Sequence, residues 1–138
     1  MTSSGRRLVV AMVVLFICDV IGGFIGAASG AETWGTAWGF DTHSTVPLPM
    51  GAAQLVLAWL AARDVRPRVA FVAAVLLSAI CLMSVLFGLF DGDLIGTVAE
   101  DGFVSWGLAW VVPLLCATVV VGVLAFVRAR QLRRQLRS

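Results

Sequence analysis

The chain has no lysine, no asparagine and no tyrosine, and only 13% of its 138 residues are charged. A soluble domain usually carries about 25% charged residues and about 45–50% apolar ones. Here 60% are hydrophobic. That excess cannot be hidden in one small core, because a domain of this length leaves much of its surface exposed. A lipid bilayer is the solvent that fits it. AT-rich codons encode the missing residue types, and Arg, Ala, Gly and Val take their place, as expected of a bacterium with a GC-rich genome. The length suits a single domain covering residues 1–138.

Cysteine and histidine are scarce too. Cys18, Cys81 and Cys116 each stand alone on a separate apolar stretch. With no CxxC, a quinone-linked redox relay is disfavoured, and the three read as small apolar residues of helices. The single histidine, His43, cannot supply paired axial ligands to a haem. With Asp41 and Glu32 it matches no known metal-site spacing. The acidic stretch Asp91-Gly92-Asp93 to Glu100-Asp101 lacks the spacing of a calcium hand. No metal and no cofactor is implied. No Ser/His, Cys/His or paired-carboxylate constellation is in evidence, so the reading leans away from an enzyme.

Four apolar stretches dominate what is there, at about 8–28, 44–62, 69–90 and 103–127. About 20 apolar residues span a hydrocarbon core. The second stretch reaches that length only if Ser44, Thr45 and Val46 join it. The expected fold is all-α: a four-helix transmembrane bundle running up-down-up-down, with tight contact between the first two spans and an ordinary left-handed tilt. Two outer loops of roughly 12–18 residues lie near 29–46 and 91–102, and a basic tail follows at 128–138.

Charge orients the bundle. Arg6 and Arg7 precede the first span, and Arg63, Arg66 and Arg68 sit between the second and third. Arg128, Arg130, Arg133, Arg134 and Arg137 follow the fourth, which accounts for all ten basic residues. The other two connections hold Glu32, Asp41, Asp91, Asp93, Glu100 and Asp101 and no arginine. Positive residues near span ends stay in the cytoplasm, so both termini are expected inside, in a multi-pass protein of the bacterial cytoplasmic membrane. Trp34, Trp38, Trp106 and Trp110 fall at the outer interface and Trp59 at the inner one, as an aromatic belt requires. Trp34-Gly35-Thr36-Ala37-Trp38 and Trp106-Gly107-Leu108-Ala109-Trp110 share a pattern, but their registers to the following spans differ. Interfacial anchoring is therefore the expected reading, ahead of an internal repeat. Ser29-Gly30-Ala31 before Glu32 also offers the small residues of a signal-peptidase site. The 21-residue apolar run, interrupted by Asp19, argues for a retained span.

Asp19 is the most informative residue. A carboxylate within a span costs at least about 2.5–3.5 kcal/mol, so it is expected as the neutral acid or facing polar partners inside the bundle. Gly22, Gly23 and Gly26 follow it on the same helical face, and Gly22 with Gly26 forms a small-xxx-small pair suited to close helix contact. Gly51, Gln54 and Ala58 make a matching face on the second span, and Gln54 is expected to be the acid's nearest polar partner. By helical rise, Asp19 lies roughly 18 Å above Arg7, Gln54 roughly 14 Å above Arg63, and Ser78 and Thr118 roughly 15 Å above their own arginines. One polar layer of Asp19, Gln54, Ser78 and Thr118 is the expectation, serving to bind, to couple protons or to fix packing. Pro113 is expected to kink the fourth span. The Arg128–Arg137 tail is expected to lie against anionic lipid, and no nucleic-acid site is read there.

Three functions follow from these features. The first is a non-catalytic accessory or partner-binding subunit, its partner a second copy or another membrane protein. The second is a small proton-coupled transporter using Asp19. The third, a membrane enzyme acting on lipid or quinone, ranks last. In gross design, with four short spans and one acid in the first, the chain resembles the small multidrug transporters, which would imply transport through that acid. It departs from them in having no tyrosine, in placing all ten arginines on one side, and in carrying Asp where they carry Glu.

Overall fold

The computed structural model describes residues 2–28, 33–39, 46–63, 66–90 and 106–137, with side chains of the last stretch from Trp110 onward. Four helices account for nearly all of it: α1 (Ser3–Ala28), α2 (Leu48–Ala62), α3 (Pro67–Phe90) and α4 (Trp106–Gln135). α1, α3 and α4 are long and apolar enough to cross a membrane. α2 has 15 residues, about 22 Å at the helical rise.

The short second helix corrects the expected start at 44. Pro47 caps it in an extended conformation, with φ −51° and ψ 131°, and Pro49 stands in its first turn. A proline fits the first turn because no intrahelical donor is needed there, but it pushes the residue before it out of the α region. The helix therefore cannot extend back through Val46. Ser44 and Thr45 lie outside the described residues, as does most of both outer loops.

The helices form an antiparallel ring. α1 packs on α2 and α4, α2 on α3, and α3 on α4, while α2 and α4 touch across the diagonal. Glycines set the α1–α2 register. A methyl group at Gly5 would lie 3.0 Å from the carbonyl oxygen of Ala62, and one at Gly51 would lie 3.1 Å from the ring of Phe16. The two contacts are eleven residues apart on both helices, so a single register runs along the seam.

The interior and exterior are the reverse of a soluble protein. Val14, Ile17 and Phe24 of α1, Leu82 and Phe87 of α3, and Val120 and Val123 of α4 are exposed, whereas Asp19, Gln54, Thr118 and Arg128 are buried. Lipid is as apolar as these exposed side chains, so polar groups gain by turning inward and small residues let the helices approach. The core accordingly mixes Leu8, Met12, Leu15 and Leu77 with the alanines 58, 61, 70, 73, 74 and 125.

α4 continues through Pro113 and through the basic residues to Gln135. This revises the expected tail. Arg128, Ala129 and Leu132 are buried, whereas the other four arginines of the segment, Arg130, Arg133, Arg134 and Arg137, are exposed to the surroundings. Arg128 donates from Nε to the Ala61 carbonyl at 3.2 Å and from Nη1 to Ser4 Oγ at 3.4 Å. Ser4 in turn donates to Gln131 Oε1 at 2.9 Å. These bonds gather the first turn of α1, the last turn of α2 and the end of α4, so the three basic segments meet at one end of the ring. Arg63 stacks at 3.7 Å on exposed Trp59 at that same end.

Candidate functional site

Asp19 faces the bundle, with 1% of its surface exposed, and so does Gln54, also at 1%. The α1–α2 register places Asp19 level with the first turn of α2. Gln54 lies about 9 Å nearer the arginine end by the helical rise. Gly51 lies beside the acid: a methyl group there would be in ordinary contact with Asp19 Oδ2, at 3.8 Å. The backbone N–H of Val46, just ahead of the α2 cap, lies near the carboxyl without completing a hydrogen bond to it. The start of a helix carries the positive end of its dipole, which suits an acid.

None of the four polar side-chain atoms of Asp19 and Gln54 has a hydrogen-bond partner among the described residues. The expected direct bond between acid and amide is not made. Buried polar groups normally find partners, and orphaned ones call for a water, an ion or a functional reason.

The other two members of the expected layer are engaged elsewhere. Thr118 Oγ1 donates to the Leu114 carbonyl one turn back on its own helix, at 2.9 Å. Ser78 Oγ donates to the Gly122 carbonyl of α4, at 3.3 Å. Both line a separate cavity of about 240 Å³ between α3 and α4, walled by Cys81, Leu82, Gly122 and Phe126. The candidate site is therefore Asp19 with Gln54 alone.

Two tryptophans bracket the acid. Trp110 donates its indole N–H to the Cys18 carbonyl at 3.3 Å, and Trp38 donates to the Val20 carbonyl at 3.4 Å. These carbonyls belong to the residues on either side of Asp19. The second tryptophan of each Trp-Gly-x-Ala-Trp stretch thus makes the same kind of contact on the same turn of α1. Trp34 is exposed, meeting Phe24 edge-on and Trp38 at a tilt. The side chain of Trp106 lies outside the described residues.

Trp38 is held on both sides. It sits in a turn secured by bonds between Thr33 and Thr36, its ring is 5.0 Å from that of Phe24, and its carbonyl accepts the Leu48 N–H at 3.2 Å. It therefore joins α1 to the start of α2 directly over the acid. Gly22, Gly23 and Gly26 are all buried, but they lie beyond the point where α2 begins. Gly23 receives the Trp38 indole, and the glycine contacts between α1 and α2 fall at Gly5 and Gly51 instead. Ala58 is buried in the α2 face of the core.

Toward the arginine end the ring is closed. Leu8, Met12 and Leu15 of α1, Ala58 and Ala61 of α2, Leu77 of α3 and Val121 of α4 are each at most 1% exposed. Among the described residues, no group of three metal-ligating side chains occurs. Cys18, Cys81 and Cys116 are free thiols, and His43 lies outside the described residues. No protein family, curated protein or solved structure matches the chain.

Proposed function

We propose that this chain is a non-catalytic multi-pass protein of the bacterial cytoplasmic membrane, acting as an accessory or partner-binding subunit with both ends in the cytoplasm. The observation that supports this over transport is the packed apolar floor between the Asp19–Gln54 seam and the arginine end. A solute crossing the ring would have to part Leu8, Met12, Leu15, Leu77 and Val121, all fully buried. It would also have to break the bonds of Arg128 to Ala61 and Ser4 that tie three helices together. On this reading the polar seam binds and fixes rather than conducts.

Reconstitution in liposomes tests it. Wild type and Asp19→Asn are to be compared for dye-reported proton entry and for uptake of organic cations. Mild-detergent purification with cross-linking then identifies whatever membrane protein stays bound. We expect equal fluxes from the two chains and a defined complex from the native membrane. Uptake that depends on Asp19 would overturn the reading in favour of a proton-coupled transporter.

A further inference from the structure

We propose that Asp19 and Gln54 form a binding site for water and a proton: the carboxyl holds the proton, and water bridges it to the Gln54 amide beneath the Trp38 cover. The inference starts from the two side chains, both buried and unpartnered among the described residues. The acid bears two oxygens and the amide one oxygen and one nitrogen, and neither side chain satisfies the other. Leaving such groups dry incurs the full desolvation of each donor and acceptor. Their separation along the seam, about 9 Å by helical rise, is shortened by the reach of both side chains. Buried groups left in this state are the kind that ordered water satisfies, each water typically making about three hydrogen bonds to buried polar groups.

The neighbourhood favours a proton over a metal cation. A metal cation would need several oxygen ligands, and one carboxyl with one amide cannot supply them. No second carboxylate faces the seam from a described residue. α2 has no titratable side chain at all. α1 adds only Cys18 near Asp19, with Arg6 and Arg7 in its first turns, and α4 contributes Cys116 on the exposed face and arginines at the far end. A proton is the one positive charge that needs no further ligands.

Access is set by the tryptophans. Both indole N–H groups act on α1 at the level of the acid, and indoles prefer the headgroup region. Asp19 therefore stands nearer the interface than the middle of the bilayer, with Trp38 between it and that interface. On the other side the apolar floor stops water. The site is one-ended, and it does not depend on whether the chain has a protein partner.

Infrared difference spectroscopy of the full chain in lipid bilayers tests this. We expect a neutral carboxylic-acid C=O band at neutral pH that disappears in Asp19→Asn, shifts on transfer to D2O, and moves to higher frequency in Gln54→Leu as hydrogen bonding weakens. Trp38→Phe, which keeps the ring but removes the donor, should speed the D2O shift several-fold. If Asp19→Asn does not fold, carboxyl-13C aspartate in the unaltered chain makes the assignment. The absence of a neutral-acid band for Asp19, or a band indifferent both to D2O and to Gln54→Leu, would overturn the proposal. Neither result would touch the accessory reading, which rests on flux and on the bound partner.

Discussion

The indole of Trp38 fills the notch that Gly23 leaves on α1. A methyl group at Gly23 would stand 2.7 Å from the Trp38 Cδ1 atom and closer still to Nε1. Only the missing side chain lets the ring reach the Val20 carbonyl.

Gly23→Leu should therefore expel the ring. Overpacking of this kind costs about 1–3 kcal/mol, read as a lower Tm in detergent. Trp38 fluorescence should shift toward that of an exposed indole in the same sample. A variant with unchanged Tm and emission would contradict the notch.

The α1–α2 seam makes a graded prediction. At Gly5 an added methyl meets the backbone of Ala62, whereas at Gly51 it meets the side-chain ring of Phe16. A ring can rotate away and a helix backbone cannot. Gly5→Ala should lower thermal stability more than Gly51→Ala, and the reverse order would disprove the register.

Arg128 should behave unlike the rest of its segment. Arg128→Met removes the bonds to Ala61 and Ser4 from a buried position and should destabilise by about 1–3 kcal/mol. Arg130→Ala and Arg134→Ala, at exposed positions, should stay within about 0.5 kcal/mol of wild type. Equal effects at the three positions would show that Arg128 does not tie the helices together.

Topology is open to chemical mapping. Single cysteines at Ser29 and Asp93, in a chain otherwise free of cysteine, should react with an impermeant thiol reagent in intact cells. Arg66→Cys should not react. Labelling at Arg66 with neither outer site reactive would invert the orientation.

Much of the fold was legible because two patterns are coarse. The four apolar stretches and the sorting of arginine against acid each extend over many residues, and both gave the all-helical ring. Helix ends were less legible. α2 starts late because Pro47 and Pro49 act on the backbone, a local effect that hydropathy does not register. The fate of Arg128 was hidden for a related reason: charge counting groups it with Arg130 to Arg137, while helical phase puts it and Leu132 on the buried face. Asp19 and Gln54 were visible as polar residues in apolar runs, and both are buried. Their relative depth was not visible, because it depends on the antiparallel register set by Gly5 and Gly51. Ser78 and Thr118 looked equivalent to them in sequence, but hydroxyls can satisfy themselves on helix carbonyls, and carboxyl and amide groups of this kind do not. Trp38 and Trp110 read as interface anchors. Their indole bonds to α1 depend on three-dimensional approach that spacing alone does not give.

The central claim is that Asp19 and Gln54 act as one buried polar unit at the α1–α2 seam, and a double-mutant cycle measures it most directly. Asp19→Leu, Gln54→Leu and the double variant are to be unfolded in the same lipid–detergent mixture. Each single variant leaves the other polar group orphaned, whereas the double variant leaves none, and replacing both partners by apolar groups can be nearly neutral. The account predicts that the double variant is more stable than the sum of the single effects implies, by about 0.5–2 kcal/mol. Additivity within about 0.3–0.5 kcal/mol, the behaviour of independent sites, would contradict it.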